Sequence, residues 1–330
     1  MKKFHPAPKN ARKTGGSPSH KSGGKGAAAP QGKKYFFKSP EAKAASAKPA
    51  GVKSAAKLAA EKFEQSEGPK GARRPARENR PPGLKLSLFG QHAVTAAWLN
   101  PKRNVHALYV TPAQQDLGGI LAKKAREKGL QRPDPILVEP SRLDHSLPPG
   151  STHQGIALSS SPLFHPTLEN VLGELAPDAP ATVIMLDQVT DPHNIGAILR
   201  SAAAFGGQAI VMQSRNSPEP TAVMGKTACG ALEMVPLCYE TNLSRSLELL
   251  AEYGFVALGL DERGDKQISA LPAFPRTVLV MGAEGDGLRR LVAEHCAHLV
   301  HLPTNKDMPS LNVSNAAAVA LYALHAAKKG

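Results

Sequence analysis

From Leu84 onward, apolar positions recur with two distinct periods, and the periods separate helices from strands. The spacing predicts a helix over Gln91–Leu99, a strand over Val105–Val110, a helix over Pro112–Lys128, and strands over Pro135–Val138 and Gln154–Leu158. This alternation predicts a small α/β module at 83–160, without an evident catalytic cluster. Pro- and Ser-rich residues 161–180, with a short helix at Leu168–Leu175, are expected to link it to a second domain at 181–330. There the pattern predicts strands at Thr182–Leu186, Ala209–Met212, Phe255–Leu260, Thr277–Met281 and Leu299–Leu302. Helices are predicted at Ile195–Phe205, Thr221–Cys229, Leu243–Tyr253, Leu288–His295 and Val313–Ala327. Apolar strands between amphipathic helices imply a mainly parallel sheet covered on both faces.

Two of these helices carry more than packing. In the first, Ile195, Ile198, Leu199, Ala202 and Ala203 form the buried stripe, and Arg200 falls off it. Asn194 precedes the stripe as a natural N-cap, and Gly206-Gly207 closes the C-terminal end. In the last helix the stripe is Val313, Ala316, Ala317, Ala320, Leu321 and Leu324. Its opening, Ser310-Leu-Asn-Val-Ser-Asn, offers more capping groups than one helix start requires.

Charge changes the picture at one end. Residues 1–82 hold 20 Lys and Arg against 5 Asp and Glu (+15), whereas 83–330 hold 21 against 22 (−1). A tail so poor in large apolar residues is expected to be disordered. Such a basic arm either binds nucleic acid by releasing counterions or serves only solubility. Lys33-Lys-Tyr-Phe-Phe-Lys38 interleaves aromatics with lysines in a way that suits base stacking. No apolar run of about 18 residues is present to span a membrane, and the N-terminus has no apolar signal core. Cytoplasmic residence is expected, with an organellar leader as the alternative. Cys229, Cys238 and Cys296 have neither paired nor metal-ligand spacing.

Three segments follow predicted strand ends: Asp187-Gln-Val-Thr-Asp-Pro-His-Asn-Ile-Gly-Ala-Ile-Leu-Arg200, Met281-Gly-Ala-Glu-Gly-Asp-Gly287, and Leu302-Pro-Thr-Asn-Lys-Asp-Met-Pro-Ser-Leu-Asn-Val-Ser-Asn315. Strand ends of an open α/β sheet converge on ligands. The second segment is not a dinucleotide fingerprint, since its glycine order is wrong and the next strand ends at Pro303 rather than at an acid. Taken singly, Asn194 reads as a cap, Arg200 as a solvated residue and Glu284 as an acid complementing a helix start.

Together the three segments resemble the SpoU (TrmH-type) branch of the SPOUT methyltransferases, matching N-x-G-A-x-x-R, G-x-E-G-x-G and the S-L-N-V-S loop in order. The module, from Leu88-Phe-Gly-Gln-His-Ala-Val to His153-Gln-Gly-Ile-Ala, resembles the ribosomal-protein-like domain that precedes the catalytic domain in RlmB-like rRNA methyltransferases. The resemblance implies an α/β fold with a deep trefoil knot, and S-adenosyl-L-methionine held by backbone groups at Gly282, Leu302 and Leu311. It implies Arg200 as the catalytic residue at the target ribose, with Asn194, Glu284, Ser310 and Asn312 positioning ribose, arginine and cofactor. It further implies a homodimer acting on the ribose 2′-hydroxyl of a guanosine in large-subunit rRNA. A tRNA substrate, or a non-catalytic RNA-binding protein on the same fold, are the alternatives.

Overall fold

The computed structural model describes residues 83–305, 307 and 310–328. The expectations for the tail at 1–82 lie outside the described residues.

The module is built on β1 (Leu88–Phe89), α1 (Gln91–Leu99), β2 (Val105–Val110), α2 (Gln115–Glu127), β3 (Ile136–Leu137), α3 (Pro140–Ser146) and β4 (Ile156–Ser160). Its sheet runs β1-β4-β2-β3, with β4 antiparallel to both neighbours and β3 parallel to β2. Its core packs Trp98, Leu108, Leu121, Ile156 and Leu158. Trp98 is fully buried, and its one polar atom, Nε1, donates to the Leu121 carbonyl at 2.9 Å, as a buried indole requires. Two elements were not anticipated. β1 is too short to show a period, and α3 is a two-turn helix announced only by Pro140 at its first position.

The larger domain follows as α4 (Leu168–Gly173), β5 (Ala181–Leu186), α5 (Pro192–Ala204), β6 (Gly207–Gln213), α6 (Ala222–Thr227), β7 (Leu237–Glu240) and α7 (Leu243–Glu252). It continues with β8 (Val256–Leu260), β9 (Lys266–Gln267), β10 (Arg276–Met281), α8 (Arg290–Glu294), β11 (His298–His301) and α9 (Val313–Ala327). Its seven strands lie in the order β7-β6-β5-β10-β8-β11-β9, every pair parallel.

Alternate strand residues feed two cores. Ile184, Leu186, Ile210, Met212, Leu279 and Met281 face α5 and α9. Val183, Met185, Val211, Val278 and Val280 face α4, α7 and α8. Helices on both faces bury every residue of β5, which is why the inner strands read as continuous apolar runs. The segment 161–180 is itself packed, with Leu168 fully buried and Leu172 1% exposed beneath the sheet.

The sheet order reverses between β5 and β10: the chain runs outward from β5 through β6 to β7, and β10, β8, β11 and β9 lie on the other side. Crevices at the carboxyl ends of strands flanking such a switch are where open α/β sheets take ligands. The segments singled out in the sequence follow β5, β10 and β11.

Candidate active site

Helix α5 begins earlier than its apolar stripe implies. Asp191 is the N-cap, its side chain accepting from His193 N at 3.0 Å, and Pro192 occupies the first turn. Proline is tolerated there because its missing N–H would be unbonded anyway. Asn194 is therefore not the cap. Relieved of that role, its amide Nδ2 donates to Glu284 Oε1 at 3.1 Å.

Asn312 performs both functions at once. Its Oδ1 caps α9, accepting from Ser314 N at 3.0 Å and Ser314 Oγ at 2.6 Å. Its Nδ2 donates to Glu284 Oε1 at 2.7 Å and to Asn194 Oδ1 at 3.1 Å. Glu284 Oε1 also accepts from Val313 N at 3.3 Å. A closed triangle of Asn194, Glu284 and Asn312 thus ties together the segments after β5, β10 and β11, although β8 separates β10 from β11. The triangle is exposed, so each bond adds on the order of 1 kcal/mol or less. What it provides is geometry.

The loop after β10 closes on itself. Ala283 and Gly287 exchange both backbone hydrogen bonds (3.2 and 3.0 Å), and a Cβ on Gly282 would stand 2.2 Å from the Gly287 carbonyl carbon. Beneath it, fully buried Asp187 accepts from Arg289 N at 2.9 Å and Arg289 Nε at 2.6 Å. That pairing pins the start of α8 to the end of β5. Helix α8 accordingly starts at Arg290 rather than Leu288. The sequence reading assigned Asp187 and Arg289 no role.

A cavity of about 670 Å³ opens at the ends of β8, β10 and β11, within the size range of small-molecule sites. Gly282, Glu284, Leu302, Ser310 and Leu311 line it, together with Met281, Val313 and Ala316 on the apolar side. Asp261, Arg263 and Gln267 also line it, and the sequence reading missed them. Their only signal was position, a polar stretch following β8 as the motifs follow their strands. Asp261 accepts from Arg263 Nε (2.8 Å), Nη2 (2.7 Å) and N (2.9 Å). The side-chain hydrogen bonds from Arg263, foremost, hold its carboxyl below the ordinary carboxylate range, so the rim carries a fixed charge pair.

Arg200 stands apart from the triangle. It is exposed on α5, and its Nη1 donates to Cys229 Sγ at 3.5 Å. Of the residues expected to act together, the structure gathers Asn194, Glu284 and Asn312 by hydrogen bonds and Glu284 and Ser310 by the cavity, while Arg200 is not among the cavity's lining residues. Among the described residues no group of His, Cys, Asp and Glu is arranged to hold a metal ion.

A parallel sheet with a switch point, a self-closed glycine loop and a cavity bounded by three strand ends define an α/β protein with a small-molecule site beside exposed polar groups. Residues 181–322 match the SpoU rRNA Methylase family. The 23S rRNA (guanosine-2′-O-)-methyltransferase RlmB of Neisseria meningitidis is 36% identical over 236 residues, 71% of this chain and 92% of that protein. An uncharacterized tRNA/rRNA methyltransferase of Mycolicibacterium gilvum is 42% identical over 170 residues, 51% of this chain; the match spans about half of that relative, 54%. The solved structure of the SpoU methyltransferase AviRb from Streptomyces viridochromogenes with AdoMet shares the fold, with a TM-score of 0.61 at 20% identity, covering 74% of this chain and 90% of that one. The chain belongs to the SpoU rRNA methylase family.

Proposed function

We propose that this protein transfers a methyl group from S-adenosyl-L-methionine to the ribose 2′-hydroxyl of a guanosine in large-subunit rRNA, acting in the cytoplasm as a homodimer. The observation that carries the reading is the 670 Å³ cavity, bounded by the segments after β10 and β11 and tied through Glu284 to the segment after β5. The rRNA guanosine is favoured by a likeness that covers 92% of a 23S rRNA guanosine methyltransferase and extends over the module.

The cavity suits the cofactor. Backbone at Gly282, Leu302 and Leu311 offers main-chain donors and acceptors, and Met281, Val313 and Ala316 supply apolar walls. Bound there, S-adenosylmethionine supplies an activated methyl group. In this reading the segments after Gly282 and Leu302 also make the crossings of a trefoil knot.

Arg200 binds the ribose or its phosphate and orients the 2′-hydroxyl. Its guanidinium is effectively always charged, so it acts as an electrostatic clamp, and the 2′-hydroxyl proton passes to an RNA phosphate oxygen or to water as the methyl arrives. Asn194, Glu284 and Asn312 fix the three loops, and Ser310, which lines the cavity, would contact a bound cofactor. Geometry of this kind supplies much of the rate in a transfer that needs oxygen, methyl and sulfur in line. A dimer accounts for the separation of Arg200 from the cavity, because a partner subunit then completes each site. Exposed Val319 (48%) and Tyr322 (60%) on α9 give it an apolar face, and Phe205 packs edge-on against Tyr322 at 5.9 Å.

The deciding experiment is incubation with tritium-labelled S-adenosylmethionine and, separately, unmodified large-subunit rRNA and bulk tRNA, followed by mapping of the labelled ribose. Label on an rRNA guanosine is expected. Label in tRNA alone moves the substrate, and label in neither, without cofactor binding, overturns the reading.

A further inference from the structure

The module and the larger domain are joined by a buried clamp as well as by the chain. Glu233 lies in the 3-10 turn Ala231–Glu233, and its side chain is 5% exposed. It takes the Arg103 guanidinium through Nη2 and through Nε (3.3 Å), and the Asn100 amide Nδ2 at 2.7 Å. Arg103, also 5% exposed, donates from Nη1 to the Ser161 carbonyl at 3.2 Å. On α6, Lys226 Nζ donates to the Thr152 carbonyl and lies 5.2 Å from the Phe89 ring centroid.

Two glycines let the surfaces touch. A Cβ on Gly225 would stand 2.2 Å from Leu88 Cδ2, and one on Gly230 (φ +95°) 2.7 Å from Ala96 Cβ.

Residues 222–233 press on the proposed catalytic helix with their other side. A Cβ on Gly196 of α5 would stand 2.7 Å from the Met224 carbonyl oxygen, and Arg200 reaches Cys229. One layer of chain therefore separates the module from the helix that carries Asn194 and Arg200, and it is packed without slack on both faces.

We propose that Glu233 is a positioning residue. By holding Arg103 and Asn100 it makes the module a rigid extension of the larger domain, so that an RNA element bound to the module sets which ribose meets Arg200. The proposal rests on the RNA methyl transfer argued above. A flexible tether lets its two ends roam over a distance that grows with the square root of its length, and would present several neighbouring nucleotides. A clamp presents one. A buried ion pair suits this role, since its desolvation cost leaves little net stability while its geometry is directional.

The test uses the full chain with Glu233→Gln, which keeps the shape and leaves Arg103 without its counter-charge. Calorimetry with S-adenosylmethionine is expected to give wild-type affinity. With large-subunit rRNA, KM should rise about tenfold while kcat stays within about twofold, and mapped label should spread to neighbouring riboses. The exchange Arg103→Glu with Glu233→Arg should restore single-site labelling, and wild-type cofactor affinity with an unchanged thermal transition in Glu233→Gln separates lost positioning from a merely weakened fold. Wild-type KM and single-site labelling in Glu233→Gln would overturn the proposal. If that variant loses cofactor binding and its cooperative thermal transition, Asn100→Ala, which removes one bond and no charge, decides by the same two readouts. Failure of the unaltered protein to label any RNA would instead sink the proposed function.

Discussion

An arginine that clamps a ribose or phosphate must be free of other strong partners, and among the described residues Arg200 makes a long contact to a thiol, 3.5 Å to Cys229. Arg200→Ala is expected to lower kcat by at least about 10²-fold, the scale of losing one donor aimed at a reacting centre. Cofactor affinity by calorimetry should stay unchanged, and near wild-type turnover would remove Arg200 from the mechanism. Asn194 shows where residue-level reading stopped. Asp-Pro-His-Asn holds two capping candidates, and counting back from Ile195 selects Asn194, whereas Pro192 in the first turn makes Asp191 the cap. The misreading hid the interaction with Glu284 that the displaced cap was free to make. A second residue-scale outcome concerns His295. Its Nδ1 donates to the Leu291 carbonyl at 2.7 Å and its Nε2 to Glu248 at 3.1 Å, and these bonds, the backbone one first, raise its pKa above 6.5. A group raised on folding stabilises below its unfolded pKa, and that contribution disappears as pH rises through the folded value. His295→Gln should therefore lower Tm more at about pH 5.5 than at about pH 9. The effect should be small, because the side chain is 31% exposed. An equal deficit at both pH values would discard it.

At the scale of elements, inner strands and long helices were legible because burial on both faces writes an unbroken or strictly periodic apolar pattern. Helices α1 and α9 match their predicted bounds. The edge strands of the larger sheet did not show. β7 buries only Leu237 and Cys238 and half-buries Tyr239 and Glu240, and β9 is exposed at both residues, so neither writes an apolar run. The closure of the glycine loop was not legible. From its residues alone, the sequence reading could say only that its glycine order is no dinucleotide fingerprint, whereas the space at Gly282 is taken by the loop's own Gly287. Gly282→Ala must push that turn open, a strain of about 1–3 kcal/mol. The expected result is a lower Tm and at least about tenfold weaker cofactor binding, since the displaced loop lines the cavity. Unchanged binding in that variant would show that the loop's closure is irrelevant to the cavity.

At the scale of the whole molecule, the strands of the two sheets were largely legible from pattern, but the packing between the module and the larger sheet was not. Arg103 and Glu233 are 130 positions apart, and each alone reads as an ordinary surface charge. The charge distribution is the feature of the whole chain that sequence does expose. Residues 83–330 carry 21 cations against 22 anions and residues 1–82 carry 20 against 5, so if a basic arm binds RNA, its long-range attraction is expected to reside in residues 1–82. Each phosphate neutralised on single-stranded RNA contributes about 0.7 to the slope of log affinity against log salt. If a quarter of those 20 cations engage, deleting residues 1–82 should flatten that slope by about 3 to 4. Affinity should fall most at low salt, where the counterion term is largest, and converge with that of the full chain as salt rises. Cofactor binding, which the proposed function assigns to the cavity, should be untouched. Filter binding across a salt series, run on both forms with the same rRNA fragment, measures this directly. An unchanged slope would mean that the cations of residues 1–82 do not meet the RNA, and would shift the electrostatic contact to the module, where Lys123, Lys124, Arg126 and Lys128 cluster on and beside α2.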